Sequence, residues 1–162
     1  MADVNKLVNI NYMQKITPNL WMKGNAEEAV NFYLSVFPDS KITKTHYYPT
    51  EGLQDFQKDF AGKVLTIEFE LFGQSLIVIN AGNEFTFNES VSFMITCKDQ
   101  EEIDYYWSRL TADGGEESVC GWLKDKFGLS WQVAPEGIDE LVKNPASFQK
   151  MMGMKKIIIA DL

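Results

Sequence analysis

The chain has 162 residues, 45% hydrophobic and 23% charged, which suits one cored domain rather than a disordered segment. Fifteen Lys and Arg stand against twenty-three Asp and Glu, and the resulting net charge of -8 argues against a nucleic-acid groove. No run approaches about eighteen apolar residues, so no membrane span is expected, and a single histidine excludes His-rich zinc sites.

The N-terminus lacks the basic-then-apolar pattern of a leader. Cys97 and Cys120 lie outside any CxxC pair and read as reduced thiols. A cytoplasmic location is the expectation.

In chain order, a strand is predicted over 16–22. A helix then opens at Asn25, whose spacing to Glu28 matches a capping box, and places Ala29, Val30, Tyr33 and Phe37 on one face. Strands over 42–48, 64–72 and 77–80 follow. Between the first two, residues 47–62 carry Pro49, Gly52 and Gly62 and read as a long loop. The second half repeats the order. A strand over 90–97 leads to a helix capped by Asp99 and Glu102, with Ile103, Tyr106, Trp107 and Leu110 on its apolar face. A weaker strand over 117–123, a turn at 124–126 and a strand over 129–133 complete it.

The halves echo each other. The caps at Asn25 and Asp99 lie 74 positions apart, and Phe72-Gly73-Gln74-Ser75 returns as Phe127-Gly128-Leu129-Ser130. The fold predicted is α+β: two paired βαβββ modules, about 15–82 and 88–134, forming a curved eight-stranded mixed sheet with the helices outside. Together with an extension over 135–162 they make a single domain spanning 1–162. That extension is predicted to hold a helical turn over 138–142 and a helix starting at Pro145 and ending before Gly153. Residues 155–162 are open between an edge strand and a short helix.

Alternation on the 64–72 strand places Leu65, Ile67, Phe69 and Leu71 against the helices, and Thr66, Glu68 and Glu70 on the other face. Glu68 is therefore a candidate acid or base in a concave cleft. Trp21, Trp122 and Trp131 fall on or beside cleft strands and could stack against a flat ligand, with core packing as the alternative. Asn19, Ser92, Ser130 and Gln132 could orient it through neutral hydrogen bonds. Cys120 is the more exposed thiol and a second candidate for reactivity. His46 is the sole imidazole and is read as a sheet-edge residue.

Several stretches together resemble the PhnB-like branch of the vicinal oxygen chelate superfamily, whose members are often labelled 3-demethylubiquinone-9 3-methyltransferase-like. These are the run from Thr17 to Trp21, the run from Gly24 to Tyr33, then Val91 to Phe93, Asp99 to Glu102, and Cys120 to Gln132. The resemblance covers about residues 15–160. It implies paired βαβββ modules and homodimers, in a superfamily of isomerases, lyases, ring-cleaving dioxygenases, thiol transferases and antibiotic-sequestering proteins. Its metal-binding members draw ligands from the first and last strand of each module. Carried over by motif, those positions fall near Thr17, Ile77, Ser92 and Gln132, and Thr66 stands where many relatives have histidine. None supplies imidazole or carboxylate, so no metal is expected. S-adenosylmethionine is not expected either, since Gly24 alone precedes the first helix. The reading is a metal-independent, cofactor-free protein binding a small molecule across Asn19, Trp21, Thr66, Glu68, Ser92, Trp122, Trp131 and Gln132. The alternatives are an isomerase or lyase using Glu68 or a divalent ion, and an interaction protein with a closed cleft.

Overall fold

A computed structural model describes residues 14–162; the N-terminal stretch read for a leader pattern lies outside them. The chain divides into two compact units, the second running from Gly82 to Leu162. Among the described residues there are eight strands, the number the paired-module reading expects and one more than the seven ranges placed from the sequence, and hydrogen bonding groups them into two four-stranded mixed sheets. No helix among the described residues is long and apolar enough to cross a membrane.

The first unit runs β1 (Asn19–Met22), α1 (Ala26–Val36), β2 (Ser40–Tyr47), β3 (Val64–Leu71) and β4 (Gln74–Asn80), in sheet order β1-β4-β3-β2. Strands β1 and β4 pair in parallel, and the other pairs are antiparallel. Ala29, Val30, Tyr33 and Phe37 are buried against Ile67, Phe69, Leu76 and Val78, with Tyr33 stacked on Phe69 at 6.2 Å between ring centres. Leu71 pairs with Gln74, so Phe72-Gly73 forms a two-residue hairpin turn with both residues in the left-handed region. The 47–62 stretch contains one 3-10 turn, Asp55–Phe60.

The cap of α1 departs from expectation. Asn25 makes no side-chain cap bond and instead accepts from the Lys23 amide. The Ala26 amide is taken by the buried Asn80, whose Oδ1 accepts it at 3.3 Å while Nδ2 donates to the Val64 carbonyl. A distant strand residue thus replaces the local cap, which spacing alone does not reveal.

The second unit runs β5 (Ser92–Cys97), α2 (Gln100–Leu110), β6 (Glu116–Glu117), β7 (Trp122–Lys124), β8 (Ser130–Pro135), α3 (Ile138–Leu141) and α4 (Pro145–Gly153). Here Asp99 caps as predicted, accepting the Glu102 amide at 2.9 Å, while Glu102 accepts the Lys98 amide. Such a cap contributes about 1 kcal/mol. Ile103, Tyr106, Trp107 and Leu110 bury against Ile95, Cys97, Leu123, Trp131 and Val133. Burial pushes the Tyr106 hydroxyl up to about 12.

The strand expected over 117–123 is two strands. Cys120 and Gly121 both take positive φ, 57° and 79°, which ends β6 and starts β7 in a new direction. The break is held from outside the sheet. The Cys120 and Gly121 amides donate to the carbonyls of Met154 and Lys155 at 2.7 and 2.8 Å. Residues 155–162 are accordingly not an edge strand of the sheet, and the short-helix alternative holds at their end. They bend at 155–156 along this corner, bury Ile157, and finish in a short 3-10 helix at Ile159–Asp161. Gln100 clamps them, donating to the Ile157 carbonyl and accepting from the Ile159 amide.

Candidate functional site

Each sheet turns one face to its helix and leaves the other open. On the first sheet, register places Trp21, Ile79, Thr66 and His46 in one row of the open face, and Asn19, Ile77, Glu68 and Lys44 in the next. Four predicted site residues, Asn19, Trp21, Thr66 and Glu68, therefore share a surface. His46 joins them: its Nε2 lies 3.3 Å from Glu68 Oε1, both side chains partly exposed. As expected, His46 lies on an edge strand, β2. Its partner is visible only once β2 and β3 are in register.

On the second sheet, Ser92, Gln132 and Trp122 share the open face. The Gln132 amide donates to Ser92 Oγ at 2.8 Å, so two of the four positions where the superfamily's metal ligands would fall bond each other. With Ile77 a hydrocarbon and Thr17 a hydroxyl, this donor set does not suit a divalent ion. Among the described residues no group of three or more His, Cys, Asp or Glu could hold a metal. Trp131 stands apart from the other predicted ligand contacts. It faces α2, is 3% exposed, and its indole donates to Asp125 Oδ2 at 2.9 Å.

A pocket of about 440 Å³ opens on the second unit, its wall including Glu89, Glu116, Cys120, Trp122, Lys124 and Ser130. Lys124 lies opposite both Ser130 and Glu116 in the ladders, and Trp122 lies opposite Gln132, so these side chains project together. Ser130 is 0% exposed and its Oγ has no hydrogen-bond partner. A buried hydroxyl left unsatisfied costs on the order of 1–3 kcal/mol, and a ligand atom would remove that cost. Lys124 pairs with Glu89; their hydrogen bond lowers the pKa of Glu89 and raises that of Lys124.

Cys120 reaches the same wall, half-buried, with its Sγ 3.4 Å from Met152 Sδ. Cys97 is fully buried, and desolvation first, then Glu102 and Asp99, pushes its thiol up to about 12. A thiol reagent such as dithionitrobenzoate at pH 8 is expected to titrate one group in the native protein and two in denaturant. Fast release of two equivalents from native protein, or unchanged native release from Cys120→Ser, would contradict this placement.

Glu89, Glu116 and Lys124 were not singled out by the sequence. The alternation of Trp122 with Lys124 and of Ser130 with Gln132 carries the signal. It becomes readable only after the break at Cys120 and Gly121 is recognised.

Two βαβββ units of this topology make the glyoxalase-like fold of the vicinal oxygen chelate superfamily. The chain belongs to the 3-demethylubiquinone-9 3-methyltransferase family, whose model matches residues 14–134. Among solved structures it is similar to the PhnB protein of Bacillus cereus, at 35% identity and TM-score 0.65, over 75% of this chain and 99% of that one. Protein PA1353 of Pseudomonas aeruginosa shares the fold at 17% identity and TM-score 0.61, over 76% and 98% of the two chains. So does the fosfomycin resistance protein FosX of Listeria monocytogenes, at 18% and 0.53, over 83% and 99%. No curated protein matches.

Proposed function

We propose that this chain binds a small, partly aromatic molecule in the pocket of its second unit, without a metal, as a cytoplasmic homodimer. The observation that carries the reading is the buried, unpartnered Ser130 hydroxyl in a pocket walled by the Trp122 indole. A flat apolar surface beside one unmet hydrogen-bonding group is the usual composition of a ligand site. Exposed Val91, Met94 and Met152 support association with a second copy. Methyl transfer forms no part of the reading. Gly24 is the single glycine between β1 and α1, and Gly114 and Gly115 follow a helix rather than open one.

A second reading, acid–base chemistry on the first sheet, is favoured by the approach of His46 to Glu68. One experiment separates the two. Fragments are screened by tryptophan fluorescence, and hits are titrated by calorimetry against Trp122→Ala, Ser130→Ala and Glu68→Gln. Binding that falls about tenfold in Ser130→Ala and further in Trp122→Ala, with Glu68→Gln neutral, is expected. Loss confined to Glu68→Gln, or micromolar Zn²⁺, Mn²⁺, Ni²⁺ or Fe²⁺ binding lost with it, would favour the second reading.

A further inference from the structure

The second-unit pocket carries a charge pattern that narrows its ligand. Lys124 is the only cation among its lining residues, and it is already committed. Its Nζ is bonded to Glu89, and Glu116 faces it across the β6–β7 ladder. Glu117, also on the wall, accepts from the Trp107 indole at 2.8 Å and from Lys155 Nζ at 3.2 Å. Three lining carboxylates against one ammonium leave two negative charges on the wall, and counting Lys155 behind Glu117 leaves one. An anionic ligand would have to take Lys124 from Glu89 while facing Glu116 and Glu117. The chain's net charge of -8 opposes its approach as well.

The opposite holds for a cation. The face of Trp122 offers a cation–π surface, and Glu116, for which no ion pair is seen among the described residues, offers a counter-charge. The neighbouring carboxylates Glu89 and Glu117 are both held below the usual range, Glu89 by Lys124, and Glu117 by Trp107 and then Lys155, so they are ionised at neutral pH. Strand register gives the ligand's axis. Ser130 and Lys124 stand at one end of the β7 wall and Trp122 two residues along it, and beyond Trp122 the chain turns at Gly121 and Cys120. At about 3.3 Å per residue the step from Lys124 to Trp122 is roughly 7 Å, the span of one ring system beside the polar end.

We propose that the pocket selects an aromatic cation, with its ring on Trp122, a hydrogen-bonding atom on Ser130 and its charge between Glu116 and the indole. This rests on the pocket being the binding site. The test uses three probes of matched shape titrated by calorimetry at 50 and 300 mM salt: 1-methylquinolinium, 1-methylnaphthalene and 1-naphthoate. The cation is expected to bind about tenfold tighter than the neutral probe, with naphthoate weakest and the preference shrinking in high salt. Glu116→Gln should cut the cation's affinity about threefold to fivefold and leave methylnaphthalene unchanged. Naphthoate binding as tightly as methylquinolinium, with both lost in Trp122→Ala, would overturn cation selection while leaving the pocket in place. Indifference of all three probes to Trp122→Ala would overturn the pocket and this inference together.

Discussion

Replacing Asp125 by Ala is expected to lower the unfolding free energy by about 3 kcal/mol, read as a reduced midpoint in urea with an unchanged slope. This carboxylate is 2% exposed yet fully occupied. Its Oδ1 accepts the amides of Phe127 and Leu129 at 2.9 and 3.1 Å, and Oδ2 accepts the Trp131 indole at 2.9 Å. Alanine leaves three buried or half-buried donors without that acceptor. Hydrogen bonds to a charged group contribute about 1.5–3 kcal/mol each, and relaxation recovers part of the loss. Asp125→Asn is the graded control. It keeps an oxygen for the two amides but turns an N–H toward the indole, and about half the loss is expected. The turn tied by Asp125 connects Lys124 to Ser130, so ligand affinity should fall in the same order. A loss below about 1 kcal/mol in Asp125→Ala would show that the turn is held by its backbone bonds alone, from the Gly128 amide to the Asp125 carbonyl and from the Asp125 amide to the Leu129 carbonyl.

That carboxylate also marks where sequence reading runs out. Helix faces were legible because burial against a sheet imposes a 3.6-residue period, and Ala29, Val30, Tyr33, Ile103, Tyr106 and Leu110 all obey it. The Phe-Gly turns were legible because left-handed positions favour glycine, as at Gly73 and Gly128. Alternation also sorted Glu68 from Ile67 and Phe69 correctly. What failed depended on partners distant in sequence. Asn80 replaces Asn25 as the α1 cap from 54 residues away, and the 154–155 carbonyls bend the chain at Cys120 from more than thirty residues away. Trp131 read as a possible ligand surface because nothing local told which face of β8 it would occupy. Its neighbours Ser130 and Gln132 took the open one, and Asp125 claimed the indole.

Gly121→Ala is the other substitution expected to have a large effect, a loss of about 3 kcal/mol. Two costs combine. Its φ of 79° is left-handed, which costs an L side chain about 1–2 kcal/mol. A Cβ there would also stand 2.7 Å from the Val133 carbonyl oxygen and 3.2 Å from Ile157 Cγ1. Val133 cannot easily yield, because its amide is bonded to the Gly121 carbonyl at 2.8 Å, continuing the β7–β8 pairing past its Trp122 end. Gly73→Ala isolates the first cost: φ is 75°, and nothing lies within 4 Å of the added carbon. The expected loss there is about 1 kcal/mol, and the difference between the two variants measures the steric component. Any relief of the clash must push β7 from β8 or lift the 154–157 segment. Either movement displaces Cys120 and Trp122 on the pocket wall, so Gly121→Ala should weaken ligand binding under conditions where the protein remains folded, and Gly73→Ala should not. Equal losses in the two variants would mean that the corner deforms at little cost, and the pocket would then owe its shape to the ligand rather than to the corner built by Cys120 and Gly121.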